Sequence, residues 1–399
     1  MRNLARNAAF RRLFAGHATS LFGDRALFVV LGIWTLDETG STGAGGLAFG
    51  FLAIGGLAAP VAGVIADRFP RRRVLIANDL AAAVLVCALL AVHDAGDVWI
   101  IYAVALGYGF AQQLGSAARG GLVAGLVAGL VADDLLPVAN GLLESARSGI
   151  RIVAPVAGAA LYLAGGGAVV ALLDAATFLA SAAFLAGLAV PDIAARGGRL
   201  HLTELAAGIR HLRDEPALRG PFPAIVIASA GIGMAEVIPF AAVTDGLGRD
   251  SAFLGILSAC HGAGAIVAGL AIPRLIAARG EIVAMSAAAA TGALGMVLFA
   301  LPSTLSVLAA STLFGACLAG ALVAWFTHLQ RRTPDELRGR AMAAAEMLLT
   351  LPYVGSIAAG AALVELVDFR LLSLAGAVAL ALCAVRIVYS RSRMIPIAS

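Results

Sequence analysis

Gly63-Val-Ile-Ala-Asp-Arg-Phe-Pro-Arg-Arg-Arg-Val-Leu75 puts four arginines within six positions, between two stretches of about twenty residues that carry almost no charge. An apolar helix of about 20 residues crosses the hydrocarbon core of a bilayer. Arginines cannot follow it there, and they hold their loop on the cytoplasmic side. The stretch therefore reads as a cytoplasmic hairpin between two membrane helices, and the rest of the chain can be measured against it.

The composition agrees. The chain is 61% hydrophobic and 13% charged, with a mean hydropathy of +0.94, whereas soluble domains carry charge on about a quarter of their residues. The start, Met1 to Arg6 and on through Arg11 and Arg12, leads into an apolar run too long for the core of a cleaved signal. The expectation is that this first helix stays, with its N-terminus inside. All 28 basic residues are arginine. A pI near 9.2 could suggest nucleic acid, but the arginines fall in short loops rather than on one soluble face, so no nucleic-acid partner is expected. Cys87, Cys260, Cys317 and Cys383 lie apart inside apolar runs, and His17, His93, His201, His211, His261 and His328 are dispersed. Neither a disulfide framework nor a metal site is suggested, no cofactor is expected, and the cysteines read as packing residues.

Apolar runs between charged or Gly/Pro breaks predict about twelve spans. Six fall near 13–36, 44–66, 74–93, 98–118, 140–164 and 168–190. A second six follow near 220–244, 251–273, 281–301, 305–328, 341–366 and 370–389. Arginine placement tests that topology: Arg249 and Arg370 fall in outside loops, Arg25, Arg147 and Arg151 within spans, and all the rest in or beside cytoplasmic segments. Both termini are thus expected in the cytoplasm. Trp34 and Trp99 at outer ends and Trp325 near an inner end fit an aromatic belt.

The longest polar stretch, 191–219, separates an expected bundle at 1–190 from another at 220–399. Within it Leu202, Leu205, Ile209 and Leu212 recur at helical spacing and predict a short amphipathic helix on the cytoplasmic surface. The halves repeat each other. Asp133-Asp-Leu135 matches Asp335-Glu-Leu337, Glu144 matches Glu346, and Gly158-Ala-Ala-Leu161 matches Gly360-Ala-Ala-Leu363, all in one register. Parallel repeats of this kind build two six-helix halves. Gly-Leu-Val-Ala, three times over from Gly121 to Ala132, reads either as a tandem duplication lengthening a loop or as a small-residue stripe for close helix packing.

A charge inside a membrane costs several kcal/mol unless it is paired or wet, so each one marks a candidate site. Asp24 and Arg25 lie half way along span one. Asn78 and Asp79 are in span three, Glu144, Arg147 and Arg151 in span five, Asp174 in span six, Glu236 in span seven, His261 in span eight and Glu346 in span eleven. Asp24 is the first candidate to carry a proton, with Glu236 within one turn of the equivalent depth. Glu144, Arg147 and Arg151 share one helical face, where neighbours can pair; Asp174 can neutralise Arg151.

The hairpin resembles the signature loop of the major facilitator superfamily. Gly63, Ile65, Ala66, Asp67, Arg68, Arg71, Arg72 and Leu75 match it, and Pro70 stands where that family has glycine. The blocks Phe10 to Phe14, Ser20 to Asp24, Asn140 to Pro155 and Pro334 to Arg340 look most like the branch of enterobactin exporters and macrolide-efflux proteins. The resemblance implies an all-α fold of twelve transmembrane helices in two pseudo-symmetric six-helix bundles. It further implies a conformational latch built on Gly63, Asp67, Arg68, Arg71 and Arg72, with Asp67 accepting from the amides that open span eleven. The equivalent loop, Pro273 to Gly280, has arginines but no acidic residue, so the latch would be one-sided. Gly149, Pro155 and Gly158 resemble the helix-bending antiporter motif of span five, with Ala154 in place of the glycine before the proline.

The function implied is proton-driven export of a small lipophilic or amphipathic molecule, such as a drug, secondary metabolite or siderophore, by alternating access. Its seat would be the bacterial cytoplasmic membrane, with the chain acting as a monomer and protons and lipid as its other partners. Antibiotic resistance would be one outcome. One rival is a facilitator or proton symporter importing a nutrient; the spans, with three Trp, five Tyr and few amides, are poor in the side chains that bind sugars. A second rival is a membrane-embedded sensor. No nucleotide loop, nucleophile set or soluble domain points to an enzyme.

Overall fold

The computed structural model describes residues 8–130, 136–187 and 202–392, which form helices and turns without a strand. By length and composition, nine described helices can cross a membrane. Span one is Ala8–Thr39, span three Arg71–Cys87, span four Val98–Leu130 and span eight Phe253–Arg279. Spans nine, ten, eleven and twelve are Glu281–Phe299, Thr304–Arg331, Asp335–Val364 and Phe369–Ser392. Threonine hydroxyls in span one bond to carbonyls one turn back: Thr35 donates to Leu31 O at 2.8 Å and Thr39 to Thr35 O at 2.7 Å.

Spans two and seven depart from the expected outline. Span two is not continuous: Thr42–Gly56 and Ala59–Arg68 are separate helices, because Pro60 sits at the start of the second and cannot continue the first. Spans five and six part where expected, between 164 and 168. Leu136–Ala186 is one helical stretch bent at Gly166, whose φ of 74° and ψ of −178° lie outside the helical region and are costly for any residue with a Cβ. Span seven breaks at Glu236: Phe222–Ala235 ends there, and a short helical turn at Ile238–Ala241, with Pro239 in its first turn, widens into a π-turn over Ala242–Gly246.

The chain forms two compact units, one drawn from residues 1–40 and 51–200, the other from 41–50 and 201–399. In the first, Gly55 and Gly109 let spans two and four touch backbone to backbone; in the second, Gly264 and Gly315 do the same for spans eight and ten. Likewise Gly158 lies on the backbone of Ala26, and Gly360 on that of Met234. The internal sequence repeat is thus expressed as repeated helix crossings. Cross-helix hydroxyl bonds add to the second unit: Ser311 donates to Leu257 O at 2.7 Å, Ser373 to Met296 O at 2.6 Å and Ser286 to Ala384 O at 2.9 Å. Such bonds average about 0.6 kcal/mol each in a bilayer.

A helix at Leu202–Asp214 occupies the polar stretch between the repeats. Leu212 is buried in the core of the second unit, Gly208 lies against the Arg340 carbonyl, and His211 Nε2 is 3.1 Å from Thr333 Oγ1. Trp325 corrects the aromatic-belt reading. It is 1% exposed and stacks on Phe222 with ring centroids 5.4 Å apart, so it is a core residue. Trp34 is likewise buried, against Gly167, and of the three only Trp99 is exposed. Cys317 and Cys383 pack inside as expected, whereas Cys87 is exposed.

Candidate functional site

The first unit holds a buried polar cluster where spans one, four and six meet. Tyr108 Oη, on span four, lies 2.6 Å from Asp24 Oδ1 and 3.1 Å from Asp174 Oδ2. Tyr108 is fully buried and Asp174 is 1% exposed. Thr177 Oγ1 sits 2.8 Å from the Asp174 carbonyl and 3.2 Å from its Oδ1. This crowding depends on Gly23: a Cβ there would overlap both Thr177 and Asp174. The glycine beside Asp24 is what lets span one approach span six closely enough to share a tyrosine.

Around this core the charges are mixed. Arg25 and Arg119 act on Asp24 with opposite sign, and Asp79 acts on it with like sign. Arg119 is itself hydrogen-bonded to His17. Asp79 is fully buried, with Asn78 and Ser181 as polar neighbours, yet neither of its carboxylate oxygens has a well-formed hydrogen bond. Phe178 closes one side, edge-on to Tyr108 at 6.0 Å.

The second unit carries a smaller counterpart. Glu236 sits at the break in span seven, where Tyr353 Oη donates to its Oε1 at 3.1 Å. Tyr353 follows Pro352 within span eleven, and Gly233 admits its backbone closely. Glu346, on the same span, is exposed.

The other expected residues are distributed as follows. Gly63 has open space where a Cβ would stand. Arg68 is exposed, and Arg71 is half-buried. Arg72 donates from Nε to Leu185 O at 2.9 Å and from Nη2 to Ala186 O at 2.5 Å, and Arg12 bonds Gly187 O. Two arginines therefore neutralise the carbonyl end of span six, where the helix dipole is negative. The side chains of Asp67, Glu144, Arg147 and Arg151 lie outside the described residues, and with them the pairings expected of Asp67, of the span-five face and of Asp174 with Arg151. Asp174 is instead met by Tyr108 and Thr177. Of the bend motif, Gly158 touches Ala26, two residues from Asp24, while Gly149 faces open space.

No group of three or more potential metal ligands occurs among the described residues. A cavity of about 650 Å³ opens between spans two, three and four, walled by Phe69, Val74, Leu85 and Phe110, with Arg73 and Asn78 as its polar members. Sequence reading missed Tyr108 and Tyr353. The available signal was their rarity, since a tyrosine inside an apolar helix needs a partner for its hydroxyl.

The family profile of the Major Facilitator Superfamily matches residues 13–351. The chain belongs to that superfamily of transporters and is a multi-pass membrane protein. Among solved structures it is similar to the nucleoside transporter NupG, at 14% identity and a TM-score of 0.78, with 96% of this chain and 99% of that one covered. A bacterial homologue of the iron transporter ferroportin in its inward-facing state gives 18% identity and 0.73 over 96% and 99%. The POT family transporter PepTSo gives 11% and 0.73 over 96% and 98%. At these identities the likeness is one of fold. No curated protein matches the chain in sequence.

Proposed function

We propose that this transporter exports a small lipophilic or amphipathic molecule in exchange for protons, and that Asp24 is a carboxylate of the coupling path. The observation that carries the reading is the seat of Asp24. It is bonded to a buried tyrosine on one side, and its helix is in backbone contact at Ala26 with Gly158, three residues past Pro155. A rearrangement of span five is thereby passed directly to the helix bearing the carboxylate. Glu236 with Tyr353 would serve as the second unit's polar anchor. Exchange of one proton for cargo draws about 2.3 kcal/mol per 100 mV of membrane potential. The chain would act in the bacterial cytoplasmic membrane, with both termini inside, in two bundles at 1–190 and 220–399 joined by the 191–219 linker.

The test is accumulation of fluorescent lipophilic cations and antibiotics in everted vesicles, with and without an uncoupler. Accumulation by wild type that collapses with the uncoupler and in Asp24→Asn supports proton-coupled export. Uptake into whole cells, driven in the opposite sense, would replace it with nutrient import.

A further inference from the structure

The Tyr108 hydroxyl has one hydrogen and two lone pairs, yet it lies within hydrogen-bond distance of two carboxyl groups. It can donate to only one of them. If both were ionised, a lone pair of Oη would face a lone pair of carboxylate between two like charges, with Tyr108 and Asp174 buried and Asp24 half-buried. One further hydrogen makes both contacts good.

We propose that Asp24, Tyr108 and Asp174 hold a single shared proton, seated on Asp174 Oδ2 and connected to Asp24 through the tyrosine hydroxyl. Asp174 is then the second carboxyl of the coupling site. This rests on the proton-coupled reading above for its role in transport, though not for its existence. The seat of the proton follows from the two distances and the surroundings. The contact with Asp24, at 2.6 Å, falls in the range of a hydroxyl donating to an ionised oxygen, and Arg25 and Arg119 favour a charged Asp24. The contact with Asp174 is longer, at 3.1 Å, and its described polar neighbours are Tyr108, Thr177 and Asp24.

Every packed element contributes a charge or titratable group: His17 and Arg25 from span one, Asp79 from span three and Arg119 from span four. Span five carries Glu144, Arg147 and Arg151, whose side chains lie outside the described residues. Transfer is balanced. Asp174 gives its hydrogen to Tyr108 Oη as Tyr108 gives its own to Asp24, leaving the tyrosine neutral and the negative charge moved to Asp174. One proton, and one unit of negative charge, are conserved by the pair.

The test is infrared spectroscopy of the purified protein in lipid nanodiscs without cargo, at neutral pH, reading the carbonyl stretch of protonated carboxyl groups as wild-type-minus-variant differences. An asparagine at either position supplies an N–H donor to Oη and removes the need for the proton. The same band component is therefore lost in Asp24→Asn and in Asp174→Asn, and Tyr108→Phe shifts it. Loss in only one asparagine variant would reduce the site to a lone acid. Retention in both, or no shift in Tyr108→Phe, would place the proton elsewhere; absence from wild type would mean that another cation bridges the pair. All of these overturn the proposal. Because no cargo is present, failure of export in vesicles leaves the spectral result standing.

Discussion

The carboxylate of Glu365, just past the end of span eleven, accepts from the Gly43 amide at 2.8 Å, at the first turn of the helix Thr42–Gly56. The Ser41 hydroxyl donates to the same oxygen at 2.7 Å, with Thr42 Oγ1 at 3.5 Å. A carboxylate at a helix N-terminus satisfies amides that have no partner within the helix and meets the positive end of its dipole. The contact fastens residues 41–50 into the second unit, where Phe49 also packs on Phe240 at 5.6 Å.

Hydrogen bonds from Ser41 and Gly43 hold the Glu365 carboxyl below the ordinary glutamate value of 4.5. A depressed value means that the ionised group stabilises the fold at neutral pH, and that this is lost only as pH falls below 4.5. Glu365→Gln is expected to cost about 0.3–1 kcal/mol, the usual worth of an exposed charge at a helix end. Thermal unfolding in detergent should show the difference at pH 7 and none well below 4.5; a difference that persists in acid would assign it to packing.

Gly23→Ala should be far more damaging than an alanine usually is in a membrane helix. The added carbon meets Thr177 and Asp174, and overpacking of this kind costs about 1–3 kcal/mol. The expected result is a folded but less heat-stable protein without transport activity, measured by fluorescence-detected chromatography and vesicle transport. Normal transport in this variant would mean that spans one and six need not be in contact.

Glu236 and Tyr353 form a pair of one donor and one acceptor, so their balance differs from that of the first unit. Glu236→Gln keeps an acceptor for the hydroxyl and should leave stability nearly unchanged. Glu236→Ala strands a half-buried hydroxyl, at up to about 1–3 kcal/mol. If Glu236 also handles protons, Gln will lose activity while retaining stability, and transport measured beside thermal stability separates the two roles.

Glu281 accepts from Arg331 at 2.5 Å and lies 3.7 Å from His328 Nδ1. His328 is 1% exposed, and its Nδ1 has no hydrogen-bond partner, while Nε2 lies 3.1 Å from Ala217 O. The arginine is 62% exposed, so its bond to the carboxylate is partly screened and worth little. Arg331→Ala is therefore expected to cost under about 1 kcal/mol. Glu281→Ala removes both the acceptor of Arg331 and the carboxylate beside the buried imidazole, and should cost more than Arg331→Ala. Equal effects in thermal unfolding would contradict this ordering.

Much of the helical architecture could be read from apolar runs bounded by charge, because a bilayer penalises a misplaced arginine more than a soluble core penalises a misplaced leucine. The repeat was visible at Gly158 and Gly360 because both are close-contact positions, against Ala26 and Met234. What the sequence concealed was of two kinds. The break in span two leaves hydropathy unchanged, since glycine and proline interrupt a helix without adding charge. The polar cluster was only half legible: Asp24 and Asp174 stand out as carboxylates, but Tyr108, 66 residues before Asp174, has no periodic relation to either. Only the crossing of three helices brings them together. Trp325 misled for a related reason, since indoles serve equally at interfaces and in cores.

The bend at Gly166 leaves no slack between the limb that carries Pro155 and the limb that carries Asp174. Helices on a long loop can slip past each other, whereas these two share a fulcrum one residue wide. If the first limb tilts, the second must tilt with it or the glycine must change its dihedrals. A carboxyl on the second limb is thus geared to the motion of the first, and its separation from Asp24 becomes a gauge of how far that limb has swung.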